Sequence, residues 1–307
     1  MFRAAADKVC NRVGTLEAVS QEPDTRLRIA AIDFLNPAPL MWDFEHPPLS
    51  AELAGRYRID RMKPSECADR LAAVTADIGL IPIAALATTP GLRVVPGCTI
   101  AAKGRVRSLL LVRRAAQPIA AVRTVAADTA SRTTVAYARL LMRLWGNSVA
   151  VFRPMAAGLD AMLARADAAV LIGDPALLAL EERNNRLERT EEELVYLDLA
   201  EEWRKSTGLA FVSAVWCTTA WGNTERGRPL DVSVAQDLIA SRDHGLKNID
   251  ALVAEWSGRI AIPEKTIRAY LTENIHYVLD EECVEGMHGF FRMAAEAHIL
   301  PEYKLSL

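Results

Sequence analysis

Ala127-Asp128-Thr129-Ala130-Ser131-Arg132-Thr133-Thr134-Val135 is the stretch on which the reading of this chain turns. An apolar run, Val122 to Ala127, ends in a cluster of hydroxyls. A helical pattern then begins, with Val135, Ala138, Leu141 or Met142, and Trp145 on one face. A strand that feeds a helix through a Ser/Thr-rich turn leaves backbone N–H groups pointing outward. Such an end carries positive dipole and suits a carboxylate or phosphate. The stretch therefore predicts an α/β unit with an anion site at its turn.

The same alternation extends outward in both directions. Leu27 to Ile32 reads as a buried strand, and Phe34 to Leu40 as a loop, because two prolines oppose a helix there. Lys63 to Ala68 opens a helix with Ser65 as its N-cap, and Ile78 to Pro82 is a buried strand ended by proline. Val106 to Val112, Val122 to Ala127, Val149 to Phe152, Ala168 to Ile172, Leu194 to Leu197 and Phe211 to Trp216 supply further strands. Thr133 to Trp145, Leu159 to Arg165 and Pro175 to Glu182 are the intervening helices. From Leu230 the pattern is wholly helical: Leu230 to Ser241, Ile249 to Trp256, Glu264 to Val278 and Glu281 to His298. Strand–helix alternation predicts parallel sheets. The expected organisation is a polar extension over 1–26, a discontinuous first lobe over 27–112 plus 215–307, and a second lobe over 113–214. No internal repeat is visible.

Composition narrows the function. The chain has 307 residues, long enough for two lobes and a sizeable core. A net charge of −3 argues against nucleic-acid or anionic-membrane partners. Aromatic residues are 6% of the chain, too few for a base-stacking platform. The five cysteines are scattered, without a CxxC or Cys/His cluster, so buried cytosolic thiols are expected rather than zinc or iron–sulfur ligands. No apolar run approaches a membrane span, and the N-terminal apolar residues are dispersed among charges. The expected location is cytoplasmic. No GxSxG, P-loop or GxGxxG occurs, so no cofactor is expected.

Several residues have both a structural and a chemical reading. Ser65 and Ser131 each stand at an expected helix start and either cap it or receive an anion; together they suit a ligand with two anionic ends in an interlobe cleft. Arg132 either pairs bidentately with a carboxylate or lies exposed in a first turn. Ser108, inside an apolar strand, is either satisfied internally or faces a ligand. Asn36, held extended before Pro37, either stabilises its loop or aims an amide at substrate. Asp174 reads as a cap for the helix begun by Pro175. Glu201 and Glu202 read as a solvated first turn that complements a helix dipole.

Seven motifs in order make the chain resemble the chorismate dehydratase family of the futalosine route to menaquinone. They are Phe34-Leu35-Asn36 with Pro39-Leu40, Pro64-Ser65-x-x-Ala68-x-x-Leu71, Asp77 to Pro82, Gly104-x-Val106-x-Ser108 to Leu111, Asp128-x-x-Ser131 to Val135, Leu171-Ile172-Gly173-Asp174-x-Ala176-Leu177, and Asp198-Leu199-x-x-Glu202-Trp203 on to Trp216. The similarity spans about Leu27 to Leu300; the stretch Phe44 to Lys63 departs from it, and Thr134 stands where Ser is common. The resemblance implies a type II periplasmic-binding-protein-like fold with an interlobe cleft and a helical tail. It implies loss of water from the dicarboxylate chorismate to give 3-[(1-carboxyvinyl)oxy]benzoate, driven by aromatisation, with no cofactor. The substrate's enolpyruvyl carboxylate is a proposed base in that family. The resemblance places Asn36 at the catalytic centre, and Ser65, Ser108, Ser131, Arg132, Thr133, Gly173 and Asp174 around the substrate. The sister enzyme acting on cyclic dehypoxanthine futalosine relies on a histidine in its second lobe, and residues 113–215 here contain none. A non-catalytic solute-binding protein is the alternative of another class.

Deleting Met1 to Thr25 is expected to leave melting temperature and turnover nearly unchanged, because the segment lacks periodic apolar residues. A large fall in melting temperature on truncation would show that it packs on the body.

Overall fold

A computed structural model describes residues 24–219 and 232–305. Most of the expected polar extension, and the first two residues of the expected helix Leu230 to Ser241, lie outside them. The first part of the chain runs β1 (Leu27–Ile32), α1 (Trp42–Glu45), α2 (Ser50–Arg56), β2 (Tyr57–Met62), α3 (Pro64–Ala72), β3 (Ile78–Pro82), α4 (Ala84–Thr88) and β4 (Arg93–Ala102). The middle runs β5 (Leu109–Arg114), β6 (Thr124–Asp128), α5 (Arg132–Leu144), β7 (Val151–Met155), α6 (Leu159–Leu163), β8 (Ala168–Ile172), α7 (Gly173–Glu181), α8 (Arg183–Thr190), β9 (Leu194–Asp198) and α9 (Leu199–Thr207). The last part runs β10 (Phe211–Thr218), α10 (Val232–Lys247), α11 (Ile249–Ser257), α12 (Glu264–Ala269), β11 (His276–Val278) and α13 (Glu281–Glu296).

Two sheets result, ordered β11-β4-β10-β3-β1-β2 and β7-β6-β8-β5-β9. Each begins with three parallel strands, β2-β1-β3 and β7-β6-β8. Each then takes in one antiparallel strand from the interlobe crossover, β10 in the first and β5 in the second. The central strands β3 and β8 are buried at every residue, as expected for apolar runs covered on both faces. The expected lobe boundaries, 112 and 215, fall inside β5 and β10, whose ladders place them whole in the second and first sheets. The chain therefore changes sheets between β4 and β5 and again between β9 and β10.

Three local expectations need correction. The expected strand Val106 to Val112 starts at Leu109, so Ser108 precedes it. The expected loop 34–40 contains a 3-10 turn, Ala38–Met41; Pro39 sits in its first turn, where the missing N–H is not needed. The expected helix Glu264 to Val278 ends at Ala269, passes through a π-helical turn (Tyr270–Asn274), and becomes β11, which pairs with the edge of β4. A long-range pairing with the edge of β4, which local apolar spacing does not encode, decides the state of this segment. The uncharacteristic stretch 44–63 supplies α2 and β2, the outer strand of the first sheet.

The core runs continuously between the lobes. Tyr137 of α5 stacks on Phe211 of β10 (3.8 Å between centroids) and Phe290 of α13 (4.2 Å), with Trp203 of α9 edge-on. All four are essentially inaccessible. The four described cysteines, Cys67, Cys98, Cys217 and Cys283, are buried free thiols, as expected.

One face of α10 fixes the segment that follows Asn36. Ser241 Oγ accepts from the Asp43 backbone N–H at 3.0 Å, and His244 Nδ1 lies 2.8 Å from the Asp43 carboxylate. One residue beyond His244 the helix comes so close that a Cβ on Gly245 would stand 2.2 Å from the Pro39 carbonyl oxygen. Gly245→Ala is therefore expected to destabilise the protein by about 2–3 kcal/mol in denaturant unfolding, because both surfaces are backbone and neither can yield. Wild-type stability in that variant would show that α10 does not grip this turn.

Candidate active site

The carboxyl ends of the parallel strands in the two sheets meet along one seam, the usual location for ligands in open α/β sheets. Three backbone donors of the first lobe cross it. Leu35 N donates to Asp174 Oδ1, Ser65 N to the Ala130 carbonyl, and Ala84 N to Thr133 Oγ1, each at 3.0 Å. Arg132 Nη2 adds an ion pair to Asp69 at 2.6 Å.

Asn36 follows Leu35, whose N–H crosses the seam, on the turn after β1. Its Oδ1 is buried and has no hydrogen-bond partner among the described residues. A buried amide oxygen without a partner is costly, which makes it a candidate contact for a ligand; six other buried polar atoms among the described residues, Arg107 Nε and Asn274 Oδ1 among them, share that state. Beside it stands the Tyr270 hydroxyl, which donates to Ser108 Oγ at 2.8 Å. Gly173 completes the wall. Its φ of +61° places it in the left-handed region, and a Cβ would come within 2.7 Å of the Phe34 ring. Its N–H donates to the Ser108 carbonyl at 2.8 Å.

Asp174 is the titratable group of the seam. Burial pushes its carboxyl up to about 6; the charge of Asp33 adds to this, and the Leu35 N–H and Arg259 oppose it. Asp128 is raised too, by burial, although its Oδ1 accepts from Ala130 N at 3.0 Å and shapes the turn into α5. Asp198 is raised by burial against four backbone donors: Val106 N (3.0 Å), Arg107 N (2.6 Å), Ala200 N (3.2 Å) and Glu201 N (3.1 Å). The Arg107 backbone is left-handed, at φ +67°, and this turn delivers Ser108 to the seam.

The residues singled out by sequence divide into two groups. Asn36, Ser108, Gly173 and Asp174 come together. Ser131 is the N-cap of α5: its Oγ accepts from Thr134 N at 3.1 Å and contacts Thr134 Oγ1 at 3.0 Å. Thr133 Oγ1 accepts from Ala84 N, and Arg132 is a half-exposed first-turn residue that places one of its five N–H donors on Asp69. Ser65 is not the cap of α3. Lys63 holds that position, and Glu66 accepts from its backbone at 3.2 Å. Asp174 is not a cap either: Ile172 precedes α7 without a side-chain cap, and the Asp174 carboxylate reaches the other lobe instead. Glu201 and Glu202 lie in the acidic first turn of α9, as read, with Lys205 and Arg105 as partners. Tyr270 and Asp198 escaped sequence reasoning as site elements. Tyr270 was hidden in an expected helix.

Among the described residues, one cluster has metal-ligand composition: His276, Asp280 and Cys283. Lys103 already neutralises its carboxylate at 2.6 Å, burial pushes the Cys283 thiol up to about 12, and Asp280 caps α13 through Cys283 N. Those roles account for the cluster without an ion. Beside the start of α5, a cavity of about 360 Å³ is lined by Asp128, Ser131, Arg132, Arg139, Phe152 and Leu300. It opens on the flank of α5, and Asn36 and Ser108 are not among its lining residues. Among the described residues, no helix is long and apolar enough to cross a membrane.

The sequence profile of a family described as menaquinone biosynthesis matches residues 27–296. Similar solved structures include a protein of Archaeoglobus fulgidus (14% identity, 90% of this chain and 99% of that one, TM-score 0.61). The alkanesulfonate-binding protein of Xanthomonas axonopodis pv. citri, solved with MOPS bound, matches at 17% identity over 92% of this chain and 96% of its own, with TM-score 0.61. The periplasmic aliphatic sulphonate binding protein of Escherichia coli matches at 13% identity over 92% and 93%, with TM-score 0.60. At these identities the likeness is one of fold: the two-lobe α/β fold of periplasmic binding proteins.

The raised carboxyl of Asp174 has a measurable consequence. Its ordinary value is 3.8 and its folded value about 6, so its stabilising contribution is complete below about pH 3.8 and is lost as pH rises through 6. Asp174→Asn keeps an acceptor for Leu35 N without the charge. That variant is expected to be more stable than wild type at pH 8, by about 1–3 kcal/mol, with the gain gone near pH 4. Parallel stability–pH curves for the two proteins would show that Asp174 is not held in a dry seam.

Proposed function

The chain belongs to the menaquinone biosynthesis family, and on that footing we propose that it is a chorismate dehydratase, a lyase of the futalosine route. The observation that carries the reading is the unpartnered buried amide oxygen of Asn36, set beside Ser108, Tyr270 and Asp174 where the two lobes meet. Chorismate loses the proton of the ring carbon bearing the enolpyruvyl ether and the hydroxyl of the neighbouring carbon. The ring becomes aromatic, which supplies the driving force. The cleft must then hold two carboxylates, orient the leaving hydroxyl and exclude water.

The residues divide these tasks. Asn36 offers a donor and an acceptor on one rigid group, able to hold the hydroxyl and stabilise charge as the ring proton leaves. The substrate's own enolpyruvyl carboxylate takes that proton, which leaves Asp174 for the leaving hydroxyl. Asp174, titrating near 6, can hand a proton to the departing hydroxyl and recover it from the product side. The Ser65 and Ala84 N–H groups, now bonded to Ala130 and Thr133, exchange those partners for carboxylate oxygens when the lobes part. Ser131, Arg132 and Thr133 act at the same joint, and Gly173 lets the Phe34 ring pack directly against its backbone to form the wall of the cleft. The second lobe carries no histidine, which disfavours the sister enzyme of the pathway.

Chorismate incubated with the purified protein should yield a product lighter by one water, identified by mass spectrometry, without added metal or nucleotide. Binding without product would favour a solute-binding protein. Asn36→Asp keeps shape but exchanges the amide donor for a negative charge beside a dicarboxylate. Turnover is expected to fall about 10²-fold or more, with circular dichroism unchanged. A folded variant within about threefold of wild type would remove Asn36 from the active site.

A further inference from the structure

The Tyr270 side chain is fully buried, yet its hydroxyl is not placed for packing. It ends 2.8 Å from Ser108 Oγ, with the Asn36 side chain alongside. Its backbone begins a π-helical turn, Tyr270–Asn274, closed by Ile275 N donating to the Tyr270 carbonyl at 3.2 Å. Such turns are strained insertions and recur at functional sites. The turn is also fastened to the crossover that carries Ser108. Asn274 Nδ2 donates to the Arg105 carbonyl at 3.2 Å, and Thr266 Oγ1 donates to Glu181, which pairs with Arg107 at 2.7 Å.

A hydroxyl carries one proton and two lone pairs. A phenol is a better proton donor than an aliphatic alcohol, so the Tyr270–Ser108 bond runs from tyrosine to serine. Ser108 Oγ is thereby occupied as an acceptor, and its own proton is left to be donated elsewhere. The donated bond also polarises that proton, since hydrogen bonds in a chain strengthen one another in a dry site.

We infer that Tyr270 is a positioning residue that fixes Ser108 as a one-way hydrogen-bond donor to an anionic or departing oxygen held at Asn36. Burial keeps the phenol protonated well above its ordinary range, so the donor persists at every working pH. The inference rests on the dehydratase reading for the identity of that oxygen. The Ser108–Tyr270 coupling can be read with or without turnover.

The test is a double-substitution cycle, Tyr270→Phe, Ser108→Ala and both together, in the full chain. Tyr270→Phe is expected to lower kcat on chorismate about tenfold, with KM within about threefold, because the polarised donor matters most as charge develops. Ser108→Ala should lower kcat by about 10²-fold, and the double variant should match Ser108→Ala alone. The double variant also removes both polar partners at once, so its melting temperature should equal or exceed that of Ser108→Ala, which leaves the phenol without an acceptor. Multiplying rate effects, or a Tyr270→Phe enzyme within twofold of wild type, would overturn the inference. If wild type binds chorismate in calorimetry but forms no product, the dehydratase reading fails alone, and the same cycle is read in Kd. If wild type does not bind chorismate, both fall.

Discussion

One carboxylate holds the two lobes in their mutual path. Asp198 stands at the end of β9 and accepts from Ala200 N and Glu201 N, which starts α9. The same group accepts from Val106 N and Arg107 N on the strand-to-strand crossover leaving the first lobe. Outgoing and returning chain are thus tied at a single buried anion. Four donors oppose the burial that raises its pKa. The arrangement also sustains the left-handed backbone of Arg107, a conformation that costs a β-carbon-bearing residue energy and needs external bonds to persist. Ser108 reaches the seam only because that turn is held.

From this knot the interlobe contact divides into two unlike halves. On one side the lobes are joined by Tyr137, Phe211, Phe290 and Trp203, large rings packed face to face and edge to face. Burying one such side chain stabilises by about 1.5–3 kcal/mol, and parting them would expose all of it. On the other side the contacts are polar: three hydrogen bonds from backbone N–H groups, the exposed ion pair of Arg132 with Asp69, and the side-chain bonds of Thr266 to Glu181 and of Tyr270 to Ser108. Each of these nets about 0.5–1.5 kcal/mol or less, and water can replace it. The polar half is the one that can open at the lower cost, which is the side where the proposed function puts the substrate's entrance. Both sheets share one wiring, each lending a strand to the antiparallel place of the other. That common pattern lies in topology and strand direction, which is why the sequence carries no repeat.

Much of the fold was legible in the chain. Ala168–Ile172 is a strand to the residue because an unbroken apolar run between turn signals admits little else. The helix after Ser131 was equally plain, capped where a serine precedes an apolar period. The misreadings share a cause. β11 follows a helix without a break in apolar spacing, and only pairing with β4 decides its state. Asp174 looked like a cap because Asp-Pro before a helix commonly is one; its true partner, Leu35 N, lies 139 residues away. The site was half legible for the same reason. Asn36, Ser108 and Asp174 could be named from motifs, whereas the Ser108–Tyr270 bond spans 162 positions and leaves no local trace.

The stretch that first suggested an anion site illustrates the difference between a capacity and a use. Its N–H groups and hydroxyls have the right chemistry, but here Ser131 caps its own helix, Thr133 meets Ala84, and the Ala130 carbonyl receives Ser65. A dicarboxylate entering the seam must displace Ala130 and Thr133 from the first lobe's N–H groups. Its affinity is then the difference between two sets of similar hydrogen bonds, which gives little for binding alone. Like Arg107 Nε and Asn274 Oδ1, Asn36 Oδ1 is a buried atom without a partner among the described residues. A ligand that supplies a donor there removes a cost instead of trading equal for equal. On the dehydratase reading proposed above, a hydroxyl flanked by two carboxylates would meet that requirement and a simple dianion would not, so discrimination would rest on the neutral amide and opening on the charged groups around it.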